Sequence, residues 1–122
     1  MATVDLDGGY LVVRLWLVER LGSMSKDLRI PLVAIKGARV VDDPWPELRG
    51  RRVRGTTILG RLSLSVRRGP DDDDFIDFVV ARRAQRSVVV DLGGVPYDRL
   101  IVTCRFPDEV AAAVRARMPG VA

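Results

Sequence analysis

The stretch Phe75–Cys104, FIDFVVARRAQRSVVVDLGGVPYDRLIVTC, decides the fold class. Three apolar runs, 75–81, 86–92 and 98–104, alternate with the period of two that marks strands. Alternation puts Ile76, Phe78 and Val80 on one face, then Val88, Val90 and Leu92, then Leu100, Val102 and Cys104. The connections between the runs are too short for a parallel crossover, which takes about a dozen residues, so the pattern predicts an antiparallel meander.

Upstream, Leu62, Leu64 and Val66 share one face of a further strand over 62–67, and the polar turn RRGPDDDD joins it to the run at 75 as a hairpin. Residues 10–18 (YLVVRLWLV) also read as a strand. Leu11, Val13, Leu15 and Leu17 lie on one side of it, and enough apolar residues lie on the other to call for a cover there too. Short strands follow at 28–31, ended by Pro31, and at 33–41, where Gly37 suits a bulge. Between Asp42 and Gly60, two prolines and three glycines predict a long irregular connection, the natural place for a functional loop.

The period changes after Pro107. Val110, Ala113, Val114 and Met118 recur at helical spacing, with acids in the first turn and arginines in the last, so a helix over 107–118 is predicted. A helix this short needs a sheet to dock on. At 122 residues the chain is expected to form one mostly β domain of about seven strands over 1–122, capped by that C-terminal helix.

The order of seven strands and a terminal helix resembles the pleckstrin-homology-like superfold, a barrel or strongly bent antiparallel sheet with the helix at one open end. The stretches VVRLWLVERLGSMSKDLRIPLVAIKGARVV, LRGRRVRGTTILG and LIVTCRFPDEVAAAVRARMP resemble small actinobacterial proteins grouped as bacterial PH-like domains. What the resemblance implies is a binding scaffold, not a chemistry, and for some bacterial members assembly through strand edges. The basic first loop of lipid-binding members is not matched, since Arg20 and Lys26 stand beside Glu19 and Asp27.

Composition narrows the chemistry. The chain has no histidine and one cysteine, Cys104, which excludes His-based triads and structural zinc sites, and no cofactor or metal is expected. Cys104 falls on the inward face of a strand and reads as a core residue. The acidic run Asp71–Asp74 lacks the spacing of a calcium loop and reads as a solvated hairpin tip. The start, MATVDLDGG, has no signal-peptide pattern and no run reaches the ~18 apolar residues of a membrane span, so a cytoplasmic location is expected.

The net charge of +4 comes almost wholly from arginine, a composition that high-GC coding also produces, so charge alone is weak ground for nucleic acid. Few aromatics are available to stack on bases, and nucleic acid is not an expected partner. Arg49, Arg51, Arg52, Arg54 and Arg61 do gather planar donors in one glycine-rich loop, suited to an anionic ligand or phospholipid headgroup, unless they pair with nearby acids such as Asp42, Asp43 and Glu47. Trp16 and Trp45 are packing residues or, if exposed, interface anchors. The leading expectation is a non-catalytic protein-interaction or self-assembly module with a protein partner or a second copy, and the alternative is anion binding through residues 49–61.

Overall fold

The computed structural model describes residues 2–14, 28–58, 60–70 and 75–117, with backbone alone at 54 and 56–58. Nine strands and one α-helix lie among the described residues: β1 (Thr3–Asp7), β2 (Tyr10–Arg14), β3 (Leu28–Pro31), β4 (Ile35–Val41), β5 (Arg51–Ile58), β6 (Leu62–Arg68), β7 (Ile76–Arg82), β8 (Ser87–Leu92), β9 (Arg99–Thr103) and α1 (Pro107–Ala116). Two are additional to the expected seven. β1 is a short strand with Val4 and Leu6 turned inward, and β5 is an eight-residue strand where an irregular loop was expected. The strand expected over 10–18 is seen to Arg14, its remainder lying outside the described residues. The run at 33–41 divides into a 3-10 turn, Leu32–Ala34, and β4, whose register shifts between Ile35 and Gly37 as the bulge expectation has it.

The strands form two sheets, one ordered β1-β2-β3 and one ordered β4-β8-β9-β7-β6-β5; among the described residues they do not close into a barrel. The strands of the 75–104 stretch do not form the predicted antiparallel meander. β9 lies between β8 and β7, antiparallel to the first and parallel to the second, with Phe78 beside Leu100 and Val80 beside Val102. The crossover that a parallel pair requires is supplied by residues 83–98, which contain β8 itself, so short turns on either side of β8 do not forbid parallel pairing.

The main core lies between the two sheets and α1. Leu11 and Val13 from β2, Ile30 from β3, Leu64 from β6, Phe78 and Val80 from β7, Val88 and Val90 from β8, and Leu100 and Val102 from β9 meet there. α1 starts on Pro107, carries Asp108 and Glu109 in its first turn, and packs on β1, β4 and β8. Its buried residues are Pro107, Ala111 and Val114, with Ala113 exposed, so the buried stripe is rotated from the predicted one; Met118 lies outside the described residues. The backbone carbonyl of Ala38 accepts a hydrogen bond from Arg115 Nε at 2.8 Å, which ties the helix to the outer strand β4.

The large sheet is buried on its second face as well. Val79, Ala81, Val89 and Ile101, each without solvent exposure, form a smaller cluster there under Val41, Trp45 and Leu48. Two-sided burial makes a direct prediction. Ile101→Ala is expected to cost about 2–5 kcal/mol in urea unfolding, the same class of loss as Leu100→Ala on the other face; a solvent-facing strand position would cost about 0.5 kcal/mol or less.

Candidate functional site

Residues 42–50 run across the second face of the large sheet, and their own side chains hold them there. Asp43 Oδ1 accepts backbone N–H bonds from Trp45 at 3.0 Å and from Ala84 at 2.9 Å, joining the segment to the turn after β7. Those bonds, Trp45's first, hold the Asp43 carboxyl below its usual range. Glu47 accepts both arms of Arg39, at 2.7 and 2.8 Å, and this fork lowers the Glu47 carboxyl and raises Arg39. Arg99 lies 3.8 Å from Glu47 and 3.4 Å from Asp91; its Nε is buried, and the approach to Asp91 is ionic rather than a formed hydrogen bond.

The deepest anchor is Arg49. Its Nε and Nη2 donate to Asp77 at 2.6 and 2.9 Å, and its guanidinium lies 4.0 Å from the centre of the Phe75 ring. Asp77 has no solvent exposure. A carboxylate so placed requires a hydrogen-bonded cation, and the fork to Asp77 raises Arg49 further above its already high value. The next turn is locked in the same way. Arg67 donates to the Arg49 and Gly50 carbonyls at 3.0 Å each. Gly50 has φ +68°, and a Cβ there would stand 2.1 Å from the Arg68 carbonyl oxygen.

The five arginines expected in one loop are therefore distributed. Arg49 is consumed by Asp77, an acid 28 residues away in sequence and not one of the neighbouring acids considered from the sequence. Arg51 and Arg52 open β5 and face Arg68 and Arg67 across the ladder. Arg54 pairs by backbone with Val66, and its side chain is not described. Arg61 sits in the turn after β5, roughly 23 Å or more from Arg51 at strand spacing. Among the described residues, neither groove of the structure is lined by any of the five. Trp45 is half-buried, packed on the second-face cluster with Arg83 5.8 Å from its ring centre, so it is a packing residue; Trp16 lies outside the described residues.

What the structure does expose is the edge of β5. Among the described residues β5 has β6 on one side and no strand on the other, and neither Arg51 nor Arg52 has a hydrogen-bond or ion-pair partner. Residues paired across a ladder share a face, so Arg51 stands with Arg68 on the core side and Arg52 with Arg67 on the second face. Arg52's charge, after burial, lowers Arg67 from its ordinary value, a sign of how crowded with cations this corner is.

Beside Arg68, the core side opens into a groove of about 360 Å³ lined by Val53, Val66, Arg68, Ile76, Pro96 and Tyr97. Val53 is the bulged residue of β5, skipped where the register shifts between Arg52 and Arg54, and it is 40% exposed. Tyr97 is steadied by an edge-on contact with Phe78 at 5.5 Å. Gly55, at φ +95°, passes so close to β6 that a Cβ would lie 1.9 Å from the Leu64 carbonyl oxygen. The sequence reading missed this edge because Arg and Gly dominate 49–61. The β-branched run Val53, Thr56, Thr57, Ile58 is the signal that marks a strand there.

A second groove, about 460 Å³, lies at the start of α1 between Gln85, Arg86, Cys104 and Phe106, with Phe106 57% exposed. Arg86 there is held by Asp108, with Nη2 donating to Oδ1 at 2.9 Å. Cys104 is buried, and desolvation pushes its thiol up to about 11, far from a reactive thiolate. No helix among the described residues is long and apolar enough to cross a membrane.

Comparison with known protein families, with curated proteins and with solved structures finds no match to this chain.

Two outcomes follow from the anchors of 42–50. Arg49→Met leaves Asp77 buried without its cation and is expected to cost about 3 kcal/mol, discounted from the fully buried case because Arg49 is 37% exposed; Arg52→Met is expected to change stability by about 0.5 kcal/mol or less. Chemical denaturation of both variants measures the difference. In acid, the unfolded chain takes up protons at Asp43 and Glu47 before the folded chain does, because both carboxyls are lowered in the fold from 3.8 and 4.5. Their contribution is complete above those values and is lost as pH falls through the folded ones, so urea midpoints measured downward from pH 5 should fall less steeply for Glu47→Gln than for the natural chain.

Proposed function

We propose that the chain is a non-catalytic protein-interaction module that takes a strand from a partner, another protein or a second copy, along the edge of β5. The observation that carries this reading is the edge itself: an eight-residue strand, alternate residues of which direct their backbone groups away from β6, with no strand beside it among the described residues. An open ladder edge is a template for another strand. The opposite edge of the same sheet is less available, since α1 packs on β4 and Arg115 occupies the Ala38 carbonyl.

A non-catalytic role is supported by the absence of histidine and by the buried, weakly acidic thiol of Cys104. The charged groups that do cluster, Arg39, Glu47, Arg49, Arg99 and Asp77, are engaged with one another in holding residues 42–50 on the sheet. Kinship with bacterial PH-like proteins belongs to the same proposal, and what supports it is a mostly β chain with one C-terminal helix on its sheet. The parallel β7–β9 pair departs from the simple antiparallel order which that kinship implies. A headgroup site using all of Arg49–Arg61 has less support, because Arg49 is spent on Asp77 and Arg61 lies at the far end of β5.

The test combines solution mass with amide exchange. Light scattering over a range of protein concentrations reports self-association, and hydrogen exchange on the isolated chain and on mixtures with Val/Thr-rich extended peptides reports where a partner sits. Outward-facing amides of residues 51–58 should exchange rapidly in the monomer and slow at least tenfold when a strand is added. Association or peptide binding that leaves those amides unprotected would place the interface elsewhere and defeat the reading.

A further inference from the structure

We infer that the strand accepted by β5 is an acidic one with an apolar anchor: two adjacent carboxylate residues facing Arg51 and Arg52, and an apolar side chain in the groove beside Val53 and Tyr97. This rests on the edge reading above and adds the chemistry of the partner.

β5 and β6 set Arg51 opposite Arg68 and Arg52 opposite Arg67, two like-charged pairs directly across a ladder, of which Arg68 is engaged within the chain. Arg67 is bound to the Arg49 and Gly50 carbonyls and so contributes to the fold. Arg51 and Arg52 contribute nothing of this kind: both are exposed, and among the described residues neither has an acid or acceptor. A second β5 laid parallel to this edge would add further arginines to the same corner, and one laid antiparallel would bring it no carboxylate, so the charge pattern favours a carboxylate-bearing strand over a second copy of RRVRGTTI.

Geometry then fixes the order of residues in the partner. Side chains of an added strand alternate between the two faces of the sheet. Arg51 lies on the core-side face and Arg52 on the second face, so two adjacent acids place one carboxylate on each. The groove opens on the same face as Arg68 and therefore as Arg51, and its apolar walls are Val53, Val66, Ile76, Pro96 and Tyr97. A residue two positions from the acid facing Arg51 returns to that face and meets the groove. At about 360 Å³ the groove has room for a Leu, Ile or Phe side chain. The bulge at Val53 widens the spacing along β5 where the anchor enters.

The experiment uses the full chain and three blocked nine-residue peptides rich in Val and Thr, centred on Leu with Glu-Glu, with Gln-Gln or with Lys-Lys beside it, in both orders. Fluorescence anisotropy gives affinity and amide exchange gives location. The Glu-Glu peptide is expected to bind about tenfold tighter than Gln-Gln, with protection over 51–58, and the advantage should fall to about twofold or less in Arg51→Ser/Arg52→Ser. Charge reversal, Arg51→Glu/Arg52→Glu, should transfer the preference to the Lys-Lys peptide, a gain that an unfolded variant cannot show. Tyr97→Ala should weaken the Leu-containing peptide more than its Leu→Ser counterpart.

Equal binding of Glu-Glu and Gln-Gln peptides with β5 protected would overturn the acidic partner and leave the edge reading standing. Absence of β5 protection with every peptide would remove both. Phosphatidylcholine vesicles containing phosphatidylglycerol serve as the competing surface: binding to them through Arg51 and Arg52, with no binding of the Glu-Glu peptide, would replace a protein partner by a membrane one.

Discussion

Asp77 has no access to water, and the way its charge is met organises much of the molecule. The residue sits on the second face of β7, next to the most hydrophobic part of the sheet, where an unpaired carboxylate would cost several kcal/mol. Its partner comes from outside the sheet, on the segment 42–50, and the Arg49 fork brings that segment down over Val79, Ala81, Val89 and Ile101. Once there, Trp45 covers the apolar cluster, Asp43 and Glu47 bond to the turn after β7 and to Arg39, and Gly50 delivers the chain into β5. The β5 edge proposed for binding thus begins where a structural ion pair ends. Of the arginines around it, Arg49 and Arg67 are engaged in the fold, and the two at the start of β5 have no partner among the described residues.

The strands of the Phe75–Cys104 stretch were legible from alternation, as were β3, β6 and the existence and docking of α1. Their arrangement was not, because the argument from short connections treats each strand pair separately. β9 pairs in parallel with β7 using β8 as the crossover, and nothing in the spacing distinguishes that order from a meander. One clue was present. The runs FVVA, VVV and LIV are apolar at consecutive positions, which is the mark of strands covered on both faces. Alternation picks out only the half of that set that faces the larger core.

The candidate surface was legible in residue type and hidden in placement. Arginine density drew attention to 49–61, but sequence proximity does not show that a strand would separate Arg51 from Arg61, nor that Arg49 would turn back to an acid on β7. Long-range pairing of this kind is set by tertiary packing and has no local signature. Trp45 followed the ordinary expectation for a tryptophan between prolines, packing its ring over a sheet face.

The insertion of β9 between β7 and β8 also has a consequence for how the chain reaches this state. Residues 83–86 are short enough for β7 and β8 to meet as a local hairpin within microseconds, yet in the finished sheet those strands stand about 10 Å apart with β9 between them. The quickest contact available to the chain is therefore a wrong one. It must open, or never zip, before the last strand can enter, and the entry of β9 joins residues far apart in sequence. Refolding should accordingly be governed by the arrival of a single late strand, and whatever delays 99–103 leaves the edges of both β7 and β8 bare to neighbouring molecules.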